Sequence, residues 1–171
     1  PARRAAHFER SKRAWKPDLL VPVETVGELR SLLPVARRLA GEQGSVKLVG
    51  LQCDAVLDGV LAEGAATLSA AGVHASFTST ESQSWIHGAS AAVDVLQGAL
   101  FPPNLVLVDA DQRSGVELGA MLEHCRRRKL GLGLYLHHPG QGGVQRNEVT
   151  VWLSDRSPEW SLRLHMANLD L

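Results

Sequence analysis

No stretch of this chain approaches eighteen consecutive apolar residues, so no part of it reads as a membrane-spanning helix. Cysteine is scarce: Cys53 and Cys125 lack metal-ligand spacing, and two alone make no disulfide framework. They read as reduced, small apolar fillers in a cytosolic compartment. A secretory signal is missing, because no apolar segment follows Pro1-Ala2-Arg3-Arg4. The start lacks Met, which suggests a processed chain or an excised fragment. Net charge is absent too. Eighteen Lys and Arg balance eighteen Asp and Glu, which argues against general nucleic-acid binding.

What is present suits one ordinary globular domain. The 171 residues, 44% of them apolar, are enough for a hydrophobic core. Charge is uneven along the chain. Residues 1–16 hold Arg3, Arg4, Arg10, Lys12, Arg13 and Lys16 against Glu9 alone, a surplus of five. Two readings fit this leader: a solvated or disordered tail, or a juxtamembrane segment like the basic cytoplasmic flanks of membrane spans. We divide the chain into a basic leader, 1–15, and a single α/β domain, 16–171.

Pro17 suits the start of a strand, and Leu19 to Val23 is nearly all apolar, as in a strand covered on both faces. Thr25-Val26-Gly27-Glu28 has capping-box spacing and opens a helix towards Glu42. Pro34 is expected to kink that helix, or to lie in the first turn of one capped by Ser31; Gly41 and Gly44 close it. Val46–Leu51 is a second strand. Asp54 caps a helix through Val56, Val60, Leu61 and Leu68 to Gly72. Val73 to Thr78 alternates, with Val73, Ala75 and Phe77 inward, near a sheet edge. A polar loop then leads to a helix carrying Trp85, Ile86, Ala89, Val93, Leu96 and Leu100, ended by Pro102-Pro103. Leu105 to Val108 is the strongest strand signal. Ser114-Gly115-Val116-Glu117 is a second capping box, and its helix finishes in Arg126-Arg127-Arg128-Lys129. Leu130–Leu136 and Val149–Leu153 are further strands joined by a Gly-rich loop. Four strand-then-helix units followed by two strands predict an open, mostly parallel sheet with helices on both faces, the last pair open to an antiparallel arrangement.

Ligands of such sheets sit where strands end at the switch point. After the first strand, Glu24-Thr25-Val26-Gly27 lacks the glycine spacing of a dinucleotide or phosphate loop. After the fourth, Asp109, Asp111, Arg113 and Ser114 are the candidate binding residues. Two carboxylates beside an arginine can bind a cation or begin an acid/base pair; they also suit a solvated turn leading to the Ser114 cap. His137 and His138 point to opposite faces of an extended strand, so they do not share a metal. His124 and Cys125 diverge on a helix. Ser84 and His87 lack the elbow glycines of a nucleophile motif. No catalytic residue, metal site or cofactor is expected.

The stretch Trp15-Lys16-Pro17-Asp18-Leu19-Leu20-Val21-Pro22-Val23-Glu24, with Gly44-Ser45-Val46-Lys47-Leu48-Val49-Gly50-Leu51, resembles the C-terminal cytoplasmic domain of bacterial cation–chloride cotransporter relatives. These belong to the amino acid–polyamine–organocation superfamily. The ending agrees: Val149-Thr150-Val151-Trp152-Leu153-Ser154-Asp155-Arg156-Ser157-Pro158-Glu159-Trp160, then Asn168-Leu169-Asp170-Leu171, is similar to that family's closing segment. The resemblance implies a universal-stress-protein-like α/β domain at the cytoplasmic face of the cell membrane. It implies roles in homodimerisation and regulation, and a transmembrane domain of the same polypeptide that carries ions or amino acids. It implies no enzyme activity. Universal stress proteins that bind ATP use a glycine-rich loop after the fourth strand, where this chain has Asp109-Ala110-Asp111-Gln112-Arg113-Ser114-Gly115. The alternatives are a stand-alone universal-stress-type nucleotide-binding protein and a small hydrolase or transferase using Asp109, Asp111 and His137. On the resemblance, Trp15 to Glu24 is a junction between a membrane-proximal leader and a regulatory sheet. Trp15 either anchors that junction or clings to the surface as an ordinary Trp.

Overall fold

The computed structural model describes residues 16–42, 44–136 and 149–150. In chain order the elements are β1 (Asp18–Val23), α1 (Val26–Ala40), β2 (Ser45–Gly50), α2 (Ala55–Ala70), β3 (His74–Ser79), α3 (Trp85–Leu96), β4 (Leu105–Asp109), a short 3₁₀ turn (Ala110–Gln112), α4 (Gly115–Arg128), β5 (Gly131–Tyr135) and β6 (Val149–Thr150). The strands form one sheet in the order β3-β2-β1-β4-β5-β6. The first five are parallel, and β6 runs antiparallel to β5.

The sheet divides the core in two. Leu19, Val21 and Val23 of β1 face α1 and α2, packing with Leu29, Leu32, Leu57 and Leu61. Leu20 faces the other way, with Val106 and Val108 of β4, onto Trp85, Ala89 and Val93 of α3 and Met121 and Cys125 of α4. Strands buried on both faces read as continuous apolar runs, which is why β1, β2 and β4 stood out in the sequence.

Pro22 has a consequence of its own. The Asp18 carbonyl accepts from Asn104 N (2.8 Å), while the Pro17 and Val23 carbonyls accept from Ser45 N (3.0 Å) and Leu51 N (2.8 Å). Even-numbered residues of β1 therefore address β4 and odd-numbered ones address β2. Pro22 lies on the β4 side and has no N–H to offer. Pairing of β1 with β4 covers only Leu19 and Leu20, whereas pairing with β2 runs from Asp18 to Val23.

The local chemistry departs from expectation in several places. α1 runs unbroken through Pro34, which is exposed. Ser31 caps nothing; its hydroxyl donates to the Gly27 carbonyl at 3.1 Å. Gly41 ends the helix with φ +57°, and a Cβ on Gly44 would sit 2.4 Å from the Ala40 and Pro17 carbonyl oxygens. Asp54 caps α2 as expected (Val56 N to Oδ1, 2.9 Å), but Val56 itself points outward. β3 is the sheet edge among the described residues, and Phe77 is exposed there because no further element covers it. α3 stops at Leu96 rather than at the prolines, leaving Leu100 88% exposed in the turn that follows. Cys125 is a core filler, its Sγ 3.7 Å from Met121 Sδ and its thiol pushed up to about 12 by burial; Cys53 is exposed and fills nothing. Leader residues 1–15, His137, His138, the Gly-rich loop and residues 151–171 lie outside the described residues.

Candidate functional site at the topological switch point

Strand order reverses between β1 and β4, and the curtailed pairing beyond Leu20 parts their C-terminal ends. In a doubly wound sheet this is where a ligand crevice opens. Arg113 fills it. Its guanidinium Nη1 donates to Glu24 Oε2 at 2.7 Å, and its Nη2 donates to Glu28 Oε1. The guanidinium carbon stacks 4.6 Å above the Trp85 ring. Only 5% of the Arg113 side chain and 1% of that of Glu28 is exposed, against 24% for Glu24.

Each partner is delivered by a helix start. Thr25 caps α1, its Oγ1 accepting from Glu28 N at 3.2 Å. The spacing predicts a reciprocal box in which the Glu28 carboxylate returns to the Thr25 amide. Instead Glu28 Oε2 accepts from Glu24 N at 2.8 Å, one residue earlier, leaving Oε1 for Arg113. Burial pushes the Glu28 carboxyl up; the Glu24 amide and Arg113 pull it back, and Asp109 pushes it up again. Trp85 is the first residue of α3, 2% exposed, and reaches the crevice from the opposite layer. Ser84 Oγ, Trp85 Nε1 and Arg113 Nε are buried without hydrogen-bond partners among the described residues.

The structure brings the four sequence candidates to this end of the sheet but gives them separate tasks. Asp109 ends β4, buried, and its Oδ1 accepts from Asp111 N at 3.1 Å to cap the 3₁₀ turn. Asp111 is exposed. Ser114 is committed to α4: its hydroxyl accepts from Glu117 N (3.3 Å) and donates to Glu117 Oε2 (2.7 Å), and Glu117 Oε2 also accepts from Ser114 N (2.9 Å). These bonds hold the Glu117 carboxyl below its usual range. Burial, then Asp109 and Asp111, raises the neighbouring Tyr135 hydroxyl. Only Arg113 joins the crevice pair, with Glu24, Glu28 and Trp85, which sequence reasoning passed over. Among the described residues, Glu24, Glu28 and the nearby Asp109 outnumber the one guanidinium, which makes this a poor seat for a polyphosphate.

The sequence profile described as "prokaryotic cation-chloride cotransporter, C-terminal domain, 1st" matches residues 21–142, well over half of the chain. The chain belongs to this family. A solved structure described as the cytoplasmic domain of a prokaryotic cation chloride cotransporter is similar, with 27% identity and a TM-score of 0.65 over 75% of this chain. The chain spans about half of that domain, covering 48% of it. No curated protein matches. The parallel sheet with helices on both faces is thus the fold of a cotransporter C-terminal domain. The Arg113 crevice lies within the matched segment. Among the described residues, no helix is long and apolar enough to cross a membrane.

Proposed function

We propose that this chain is a non-enzymatic, cytoplasmic regulatory and dimerisation domain, 16–171, of a membrane secondary transporter, with residues 1–15 as its membrane-proximal leader. Solute is carried by a transmembrane domain of the same polypeptide. The family match over residues 21–142 carries this reading. The crevice supports it: where a nucleotide would bind in a doubly wound sheet, Arg113 pairs with Glu24 and Glu28 instead. Light scattering over a concentration series tests the assembly. Twice the chain mass is expected at high concentration; a mass that stays at one chain removes the dimerisation role while leaving the family assignment in place.

The universal-stress-type nucleotide reading draws on the same switch point. It requires ATP to displace the buried Arg113 pairs. Calorimetry with ATP is expected to give no heat of binding, and saturable binding would reverse the order of the two readings.

A further inference from the structure

Parallel strands joined by helices place every helix C-terminus at the end of the sheet where the strands begin. At that end the described residues carry Lys16, Lys47, the pair Arg37-Arg38 and the run Arg126-Arg127-Arg128-Lys129, against Asp18, Glu42, Asp94 and Glu123: eight cations to four anions. The opposite end holds eight carboxylates (Glu24, Glu28, Asp54, Asp58, Glu81, Asp109, Asp111 and Glu117) against Arg30 and Arg113. With Glu63 midway along α2 belonging to neither end, the described residues are therefore polarised along the strand direction. Lys16, the first residue of the domain, lies at the positive end, its Nζ 4.6 Å from the centroid of the Phe101 ring. His74 packs edge-on to the same ring at 5.7 Å, and Lys47 donates to the Phe101 carbonyl. Beside it Leu100 is 88% exposed, and Phe101 and Pro102 are exposed too. Two exposed apolar side chains in succession, one of them touched by Lys16 and Lys47, at the cation-rich end of the sheet match the chemistry of an anionic bilayer surface, with charge for the headgroups and apolar groups for the layer beneath.

We infer that the strand-start end of the sheet docks on an anionic membrane surface, with Leu100 and Phe101 entering the headgroup layer. This rests on the transporter reading and adds a partner to it. The acidic end faces away from the bilayer.

Flotation of the full chain with vesicles tests the inference. Recruitment to phosphatidylcholine vesicles containing phosphatidylserine is expected, with little to phosphatidylcholine alone. Recruitment should fade from about 0.1 M to about 1 M salt, as the screening length shrinks from about 10 Å to about 3 Å. Neutralising Arg37, Arg38, Arg127 and Lys129 to Gln should lower partitioning by roughly several hundredfold, at about fivefold per cation. Leu100→Ser should lower it less. If the fourfold variant melts early, Arg127→Gln alone is to be compared with wild type, and a several-fold loss is expected. Absent recruitment, equal recruitment to neutral vesicles, or a loss seen only when Arg3, Arg4, Arg10 and Arg13 are neutralised would overturn the docking face. So would self-association that the fourfold variant abolishes without vesicles. None of these outcomes touches the family match or the light-scattering mass.

Discussion

The two ends of this sheet share their strands and differ in how charge is handled. Where the strands end, Glu28 and Asp109 are drawn inward and one guanidinium is clamped between Glu24 and Glu28 beneath an indole. Where the strands begin, Lys47 is half-buried but the Arg126–Lys129 run is exposed, and the pairs Glu123 to Arg126 and Asp94 to Arg128 are surface pairs at 2.9 Å. His124 Nε2 adds a 3.0 Å contact to Asp94. Burial works against the ionised Asp94, but the bonds from Arg128 and His124 outweigh it and hold the carboxyl low. Exposed pairs of this kind contribute little to stability, whereas breaking a buried one leaves an uncompensated charge. One end holds the fold together, and the other is left available.

The sharpest way to break this contrast is Arg113→Ala. With Glu28 buried and its opposite charge gone, we expect a loss of about 3–5 kcal/mol in urea unfolding. Arg126→Ala at the other end should cost well under about 1 kcal/mol. Similar losses at both sites would erase the distinction. A second, smaller test uses pH. The folded Glu28 carboxyl lies above its unfolded value of about 4.3, so its contribution favours the fold fully below that value and is lost as pH rises through the raised one. Glu28→Gln removes this dependence. The stability gap between variant and wild type should therefore move in the variant's favour from acid to neutral pH, and a gap constant with pH would contradict the assignment. The smallest test is at the basic end. Lys129 ends α4 in the left-handed region, φ +59°, which costs a residue bearing a Cβ. Lys129→Gly should raise stability by about 1 kcal/mol, seen as a higher urea midpoint with unchanged slope.

The architecture was legible wherever a segment's environment is uniform. β1, β2 and β4 are covered on both faces, so their apolar runs announce them, and α4 carries its start in Ser114 and Glu117. Legibility failed where a residue answers to a distant neighbour. Phe77 follows a clean alternation but lies on an uncovered edge strand. Glu28 sits at perfect capping-box spacing, yet its carboxylate serves Glu24 and a guanidinium 85 residues away. Asp109, Asp111, Arg113 and Ser114 follow one another at the end of β4, in sequence as in structure. The acids that clamp Arg113 come from the β1–α1 turn, and no local pattern connects the two. Pro22 is visible in the sequence, but its effect depends on which neighbour its missing amide faces.

The Arg113 clamp also has a mechanical side. Glu28 belongs to α1 in one helical layer, and Arg113 sits immediately before the cap of α4 in the other. Their bond passes around the rim of the sheet like a rivet through two plates. The two helical layers therefore cannot part at this end of the sheet without breaking a buried ion pair.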